Sequence, residues 1–330
     1  MAKKSKPFIG VDLGGTSMRA AVVAHDGTVL AFAKRKTHPE LGAPAVVGRL
    51  AECIEKAIHA ADLHTRDIGG IGVGVPGPVD SERGVVRLAV NLGRDWNNLP
   101  LAEELQKRLK LPAYIDNDVR VGALGEFTHG AGQGLSDMVA VFVGTGIGGG
   151  LVLDGELRKG WRGSAGEVGH TVVADGNGIV GKTGQQGTVE PLASRTGMER
   201  MVSDLVKEGR ETVVPQLMQS VGGGRLTSSV MYQALRQNDA VMQEVLAVAQ
   251  HNLGLLAGNL INTLDPQMVV FGGGVTARLG ERFIAPIRRV AYASLINKQN
   301  ARQVRIVAGA LKDDSGVVGA AVLARKNVVS

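Results

Sequence analysis

One structural phrase occurs twice in this chain. The apolar runs Phe8–Leu13 and Met138–Val143 each lead into a glycine turn, Gly14-Gly15-Thr16 in the first case and Gly144-Thr145-Gly146 with Gly148–Gly150 in the second. Each turn is followed by another apolar run, Ala20–Ala24 and Leu151–Leu153. A strand–turn–strand unit repeated within 330 residues predicts a duplicated α/β architecture with two lobes. Glycine at such turns leaves backbone N–H groups free to converge on an anion, because no Cβ blocks close approach.

The elements between the two copies fit an alternating α/β chain. Val29–Lys34 reads as a third strand, and Ala45–Ala61 as a helix with Val46, Val47, Leu50, Ile54 and Ile58 at helical spacing. Gly70–Val75 is a strand closed by Pro76-Gly77-Pro78, and a helix over Leu101–Leu109 leads to the strand Ala113–Ile115 and a helix over Val119–Phe127. Beyond the second copy, Pro191 suits the first turn of a helix running to Val206, and Gly209–Arg225 reads as an irregular insertion. Asp239–Leu264 is a long apolar helix, Met268–Phe271 a strand entering Gly272-Gly273-Gly274, and Ser315–Arg325 a last helix.

Composition narrows the classes. The 47 glycines show no triplet repeat, which excludes a collagen-like chain. No apolar stretch reaches the ~18 residues of a membrane span, and Lys3, Lys4 and Lys6 precede no apolar signal core, so neither membrane insertion nor secretion is expected. Cys53 is the sole cysteine, which rules out an intrachain disulfide and makes the cytoplasm the default compartment. The net charge of +6 comes from basic residues scattered among acids, without a basic face or recognition helix, so no nucleic-acid partner is expected. Attraction of anionic substrates and simple solubility both remain readings of that charge.

Several motifs carry chemistry. Asp12 ends a buried strand directly before Gly14, Gly15 and Thr16, where a carboxylate can hold hydrated Mg²⁺ while the turn takes phosphate oxygens; a plain hairpin turn is the alternative. Asp118, in Ile115-Asp116-Asn117-Asp118 between strand and helix, suits either a helix N-cap or a general base for a sugar hydroxyl, and Asn117 suits a hydroxyl partner. Gly176–Thr183 spells a Walker A pattern, yet Gly184 and Gly187 follow where a helix is needed, so a true P-loop is not expected there.

Together these residues resemble the ROK family of repressors and sugar kinases, within the hexokinase–actin–chaperone ATPase superfamily. The resemblance covers nearly the whole chain: Asp12–Thr16, Gly74-Val75-Pro76-Gly77, Asn117-Asp118, the turn at 144–150, Gly166-Glu167-Val168-Gly169-His170, Glu190 with Ser194, and Phe271–Val275. It implies a two-lobed actin-like, hexokinase-type fold of duplicated ribonuclease H-like domains with a central cleft. The expected small lobe comprises residues 1–117 plus about 312–330, and the large lobe 118–311. The resemblance further implies that Asp118 is the catalytic base and that Gly77, Asn91, Asn117, Glu167, His170 and Glu190 bind the sugar with it. ATP would lie on Gly14, Gly15, Thr16, Gly144, Thr145, Gly146, Gly148, Gly272, Gly273 and Gly274, with Mg²⁺ held through water by Asp12. Glu167 as a turn residue and His170 as an interior histidine are the plainer alternatives.

The implied activity is transfer of the ATP γ-phosphoryl to the 6-hydroxyl of a hexose, with glucose leading. Fructose, allose, mannose, an N-acetylhexosamine and a polyphosphate donor stay open, and a homodimer is the family expectation. A sugar-responsive repressor would need a DNA-binding segment before the first turn, and Asp12 leaves little room for one. The chain departs from the family at its zinc loop, where the three cysteine positions fall on Gly181, Thr183 and Thr188. Without thiolates that loop is expected to hold no zinc. Elemental analysis is expected to find none bound, and about one zinc per chain would refute this, since thiolate-rich structural sites bind it tightly.

Overall fold

The computed structural model describes residues 6–89, 91–174 and 184–329. In chain order the first half comprises β1 (Phe8–Leu13), β2 (Ser17–Val23), β3 (Val29–Lys36), α1 (Ala43–Ala60), β4 (Ile71–Val75), β5 (Val79–Asp80), β6 (Val85–Val86), α2 (Leu101–Leu109), β7 (Ala113–Asn117) and α3 (Asp118–His129). There follow β8 (Met138–Val143), β9 (Ile147–Leu153), β10 (Glu156–Arg158), α4 (Val189–Ala193), α5 (Arg195–Lys207), α6 (Val214–Val221), α7 (Ser228–Arg236) and α8 (Ala240–Leu264). The last elements are β11 (Met268–Gly272), α9 (Gly274–Leu279), α10 (Glu281–Ala293), β12 (Arg305–Ala308) and α11 (Ser315–Val329).

The duplicated phrase is a duplicated sheet. One five-stranded sheet has the order β3-β2-β1-β4-β7 and the other β10-β9-β8-β11-β12. In the first, β1 pairs antiparallel with β2 and parallel with β4, and β4 pairs parallel with β7. In the second, β8 pairs parallel with β11, and β11 parallel with β12. The chain divides into two compact units: residues to Gly134, Gly150–Ala165 and those from Asp314 form the first, and Leu135–Gly149 with Gly166–Asp313 the second. The first division falls after Gly134 rather than after residue 117, because α3 packs extensively on α11 and so stays with the first sheet.

Strand alternation explains the first unit. Ile9, Val11 and Leu13 of β1, with Ile71, Val73 and Val75 of β4, are fully buried in a core shared with α1 and α2. The intervening residues, Gly10 paired with Gly72 and Asp12 paired with Gly74, belong to the opposite face because successive strand residues alternate sides. That face receives α11 at backbone distance. A Cβ on Gly10 would lie 1.7 Å from the Val317 carbonyl oxygen, and one on Gly72 would lie 1.8 Å from that of Ala320. The contact of α11 with α3 is equally close, since a Cβ on Gly319 would stand 1.6 Å from the Val121 carbonyl oxygen.

Some local expectations change. The helix expected from Pro191 to Val206 is two helices, because Ser194 is extended and its hydroxyl caps α5 by accepting from the Gly197 N–H at 3.0 Å. The expected irregular segment Gly209–Arg225 contains α6. The turn after β8 closes at Gly146, so Gly148, Gly149 and Gly150 lie inside β9. The Walker-like Gly176–Thr183 and the zinc-loop positions Gly181 and Thr183 lie outside the described residues. Among the described residues no helix is long and apolar enough to cross a membrane.

Gly319→Ala is expected to destabilise the protein by about 1–3 kcal/mol, since the added methyl meets backbone that cannot rotate away. Urea unfolding of the variant against the parent measures this, and an unchanged midpoint would contradict the packing described.

Candidate active site

In the first unit the candidate residues gather at the carboxyl ends of the parallel strands β1, β4 and β7, the general location of ligand sites in such sheets. Thr37 fastens the first glycine turn: its hydroxyl donates to the Gly14 carbonyl at 2.6 Å, and its N–H to the Thr16 carbonyl at 3.0 Å. Asn91 lies beside that turn, where a Cβ on Gly15 would be 3.1 Å from the Asn91 Cβ. Gly77 has φ +90°, and a Cβ there would lie 2.4 Å from the Leu88 carbonyl oxygen, so only glycine fits without strain.

Asn117, not Asp118, is the N-cap of α3. Its Oδ1 accepts from the N–H groups of Val119 and Arg120 at 3.0 and 3.1 Å. Its Nδ2 donates to the Gly77 carbonyl at 3.2 Å and to Asp118 Oδ1 at 3.0 Å. Both N–H groups and both lone pairs of the amide are thereby engaged within the protein. Asn117 thus fixes the Asp118 carboxylate against the Gly77 loop, a positioning task that the spacing did not reveal.

Asp118 is the first residue of α3 and partly buried. A Cβ on Gly74 would come 3.2 Å from the Asp118 Cα, so the residue sits directly over the strand position paired with Asp12. Burial, with the Asp12 carboxylate as a like-charged neighbour, pushes the Asp118 carboxyl up to about 7. Hydrogen bonds from Val119 N–H and Asn117 oppose that shift. The Asp12 carboxyl is also raised: its side chain meets solvent, but dense protein around it deprives the charge of water, and Arg19 and Lys34 offset this only in part.

Beneath this pair, a buried ion pair braces the strand end. Arg120 Nε and Nη2 donate to Asp116 Oδ1 at 2.7 and 2.5 Å, and Arg120 Nη1 donates to the Gly163 carbonyl at 2.5 Å. An Arg four residues after an Asp was the available sequence signal, because that spacing closes on one turn of helix.

In the second unit the candidates surround the start of β9. Glu190 Oε2 accepts from the Ile147 N–H at 2.9 Å, and a Cβ on Gly146 would lie 2.5 Å from the same oxygen. Glu190 therefore braces the glycine turn itself. Glu167 and His170 are both exposed, which excludes the interior-histidine alternative for His170. The Glu167 carbonyl accepts from the His170 N–H at 3.1 Å, closing a turn over Val168–His170. That turn rests against β9, since a Cβ on Gly169 would lie 2.2 Å from the Ile147 carbonyl oxygen.

The glycines Gly272–Gly274 adjoin the second turn. Gly272 pairs with Phe142, and Gly273, with φ +90°, leaves a would-be Cβ 2.4 Å from the Val143 carbonyl oxygen. Gly274 then begins α9. Gly144–Gly146 and Gly272–Gly274 thus emerge from neighbouring parallel strands. Gly148 does not share that turn. Arg195, which opens α5, also reaches it: Nη2 donates to Thr145 Oγ1 at 2.6 Å. Among the described residues no group of three or more His, Cys, Asp or Glu side chains could hold a metal ion.

This architecture of two sheets, each with glycine turns at its strand ends, is that of the actin-like ATPase fold, and solved hexokinases and glucokinases share it. The chain belongs to the ROK family, whose model matches residues 8–327. A glucokinase of Halalkalibacterium halodurans is 33% identical over 97% of this chain and 95% of its own length. A xylose repressor of Caldicellulosiruptor bescii is 31% identical over 98% of this chain and 79% of its own length. A ROK-family glucokinase from Streptomyces griseus, solved with glucose and AMPPNP, superposes with a TM-score of 0.83 at 32% identity, covering 97% of this chain and 99% of that one.

Because the folded Asp118 pKa lies above the unfolded one, the native state binds more protons between the two values, and stability falls as pH rises through about 7. Asp118→Asn removes that cost. In metal-free buffer it is expected to raise Tm by about 2–4 °C at pH 8 and to change it little at pH 4. Equal effects at both pH values would show that the carboxyl is not held at a raised pKa.

Proposed function

We propose that this chain is an ATP-dependent sugar kinase that phosphorylates the 6-hydroxyl of glucose, with Asp118 as general base. The observation that carries the reading is the Asp118 carboxyl, oriented by Asn117 and poised to titrate at about 7. A base with that pKa takes a hydroxyl proton efficiently near neutral pH. The proton of the sugar hydroxyl passes to Asp118 as its oxygen attacks the γ-phosphorus and the bond to the ADP leaving oxygen breaks. Phosphoryl transfer asks mainly for alignment and charge stabilisation, which two glycine turns and one base supply.

In this reading Asn91, Glu167 and His170 bind sugar hydroxyls, Gly77 keeps the wall open, and Asn117 and Glu190 hold the base and the phosphate turn in place. The exposed Glu167 and His170 side chains are free to meet a ligand. Donor phosphates lie on Gly14-Gly15-Thr16 and Gly144-Thr145-Gly146, and adenosine on Gly272–Gly274. The donor set fits Mg²⁺: Asp12 is a solvent-accessible carboxylate, and Mg²⁺ commonly takes one or two carboxylates plus water and substrate phosphates. Bound there, the ion would neutralise phosphate charge. A cytoplasmic enzyme follows from this role. The likeness to a glucokinase solved with glucose and AMPPNP supports both substrates.

The decisive experiment is ADP release over a hexose panel with ATP and with polyphosphate as donors. Glucose with ATP is expected to give the highest kcat/KM; turnover independent of sugar would overturn the kinase reading. Asp118→Asn is expected to lower kcat roughly 10²–10⁴-fold with glucose binding retained.

A further inference from the structure

The second glycine turn is gripped by α5. Besides the Arg195 bond to the Thr145 hydroxyl, the Arg195 N–H donates to the Gly144 carbonyl at 2.9 Å, and the Thr196 hydroxyl donates to the Thr145 carbonyl at 2.8 Å. Arg195 is half-buried and occupies the first position of a helix, where the macrodipole disfavours a cation. Among the described residues no carboxylate forms an ion pair with it, and Glu199 acts on it only at longer range. Glu199, the nearby acid, accepts from Arg225 Nε at 3.0 Å and from the Leu226 N–H at 2.8 Å. Arg225 itself adds positive potential beside Arg195. A guanidinium held in this way has four N–H donors beyond the one on Thr145, arranged in a planar fork that matches phosphate. Thr145, accepting from Arg195, keeps its own O–H proton to donate outward.

We infer that Arg195 is a donor-phosphate contact, its guanidinium binding terminal phosphoryl oxygens of a polyphosphate-bearing donor above the Gly144–Gly146 turn. This rests on the sugar-kinase reading and deepens it by naming the charge that meets the transferred group. The ligand class is an oligophosphate chain, free or carried by a nucleoside. The contact reads phosphate rather than base, so it serves either donor. During transfer, charge spreads over the equatorial oxygens, and a fixed guanidinium there stabilises the transition state more than the ground state.

The test uses the full chain and two readouts. Calorimetric titration with inorganic tripolyphosphate is expected to show binding to the parent protein and at least tenfold weaker binding to Arg195→Gln, with adenosine binding unchanged. Steady-state assays with ATP and glucose are expected to show kcat lowered by roughly 10²-fold or more, as for other transition-state donors. Arg195→Lys keeps the charge without the fork, so it is expected to restore tripolyphosphate binding while kcat stays below that of the parent. It carries the test if the Gln variant fails to fold. Tripolyphosphate binding within twofold of the parent in Arg195→Gln, parent-like kcat in Arg195→Lys, or no binding to the parent at all would each overturn the assignment. If the parent binds tripolyphosphate through Arg195 but phosphorylates no sugar, Arg195 stands and the sugar reading fails. If glucose is phosphorylated equally with and without Arg195, the reverse holds.

Discussion

The first unit depends on a backbone-to-backbone contact. Helix α11 lies directly on β1, β4 and α3 because Gly10, Gly72 and Gly319 present no side chain at the points of closest approach. That contact fixes α3 relative to the sheet and therefore fixes where Asp118, its first residue, stands over Gly74. It also brings the start of α11 to Asp12, since a Cβ on Gly316 would lie 3.3 Å from the Asp12 Cγ. The positive end of a helix favours a carboxylate nearby, so the contact that builds the fold also steadies the candidate metal carboxylate. A bulkier strand face would push the helix outward and separate the two acids.

The site itself is an arrangement of opposed charges and few spare partners. Burial and the neighbouring Asp12 carboxylate raise the cost of ionising Asp118, whereas Asn117 and the Val119 N–H favour the Asp118 carboxylate. Their balance leaves Asp118 near neutrality rather than at the usual carboxylate value. Deeper in the same strand end, Asp116 and Arg120 hold the backbone on which that balance rests. The second unit uses the complementary logic. Glu190 takes the Ile147 N–H where the glycine turn enters β9, and Arg195 takes the turn's threonine hydroxyl, so one anion and one cation shape a loop with almost no side chains of its own.

Much of this was legible in the residues. Apolar runs located β1, β8 and β11 closely, helical spacing located α1, and length with apolar content located α8, because those segments bury one face or all of themselves. The break at Ser194 was missed: Leu192 and Ala193 precede and Met198 follows the short polar Ser194-Arg195-Thr196, which one continuous helix can also carry on its surface, and the cap on Gly197 reveals the new start. Nor was the cap at Asn117, because Asn and Asp are comparable N-caps and adjacent candidates cannot be ranked by propensity. Gly148 was assigned to the turn because consecutive glycines read as loop, whereas here they lie in a strand that other segments approach closely: a Cβ on Gly149 would lie 3.0 Å from the Gly166 carbonyl oxygen.

By itself the sequence determined the duplicated architecture, the family and the strand-end positions of the glycine turns. These follow from local pattern and from glycine, whose missing side chain leaves a mark at every level. The tertiary structure alone decided what the polar residues do. Whether Glu190 faces a ligand or a backbone N–H, whether Asn117 has hydrogen-bonding capacity to spare, and whether Arg195 has a counter-ion all depend on neighbours far away in the chain. Hydrogen bonds and desolvation act over a few ångströms of space, and sequence distance carries no measure of that space.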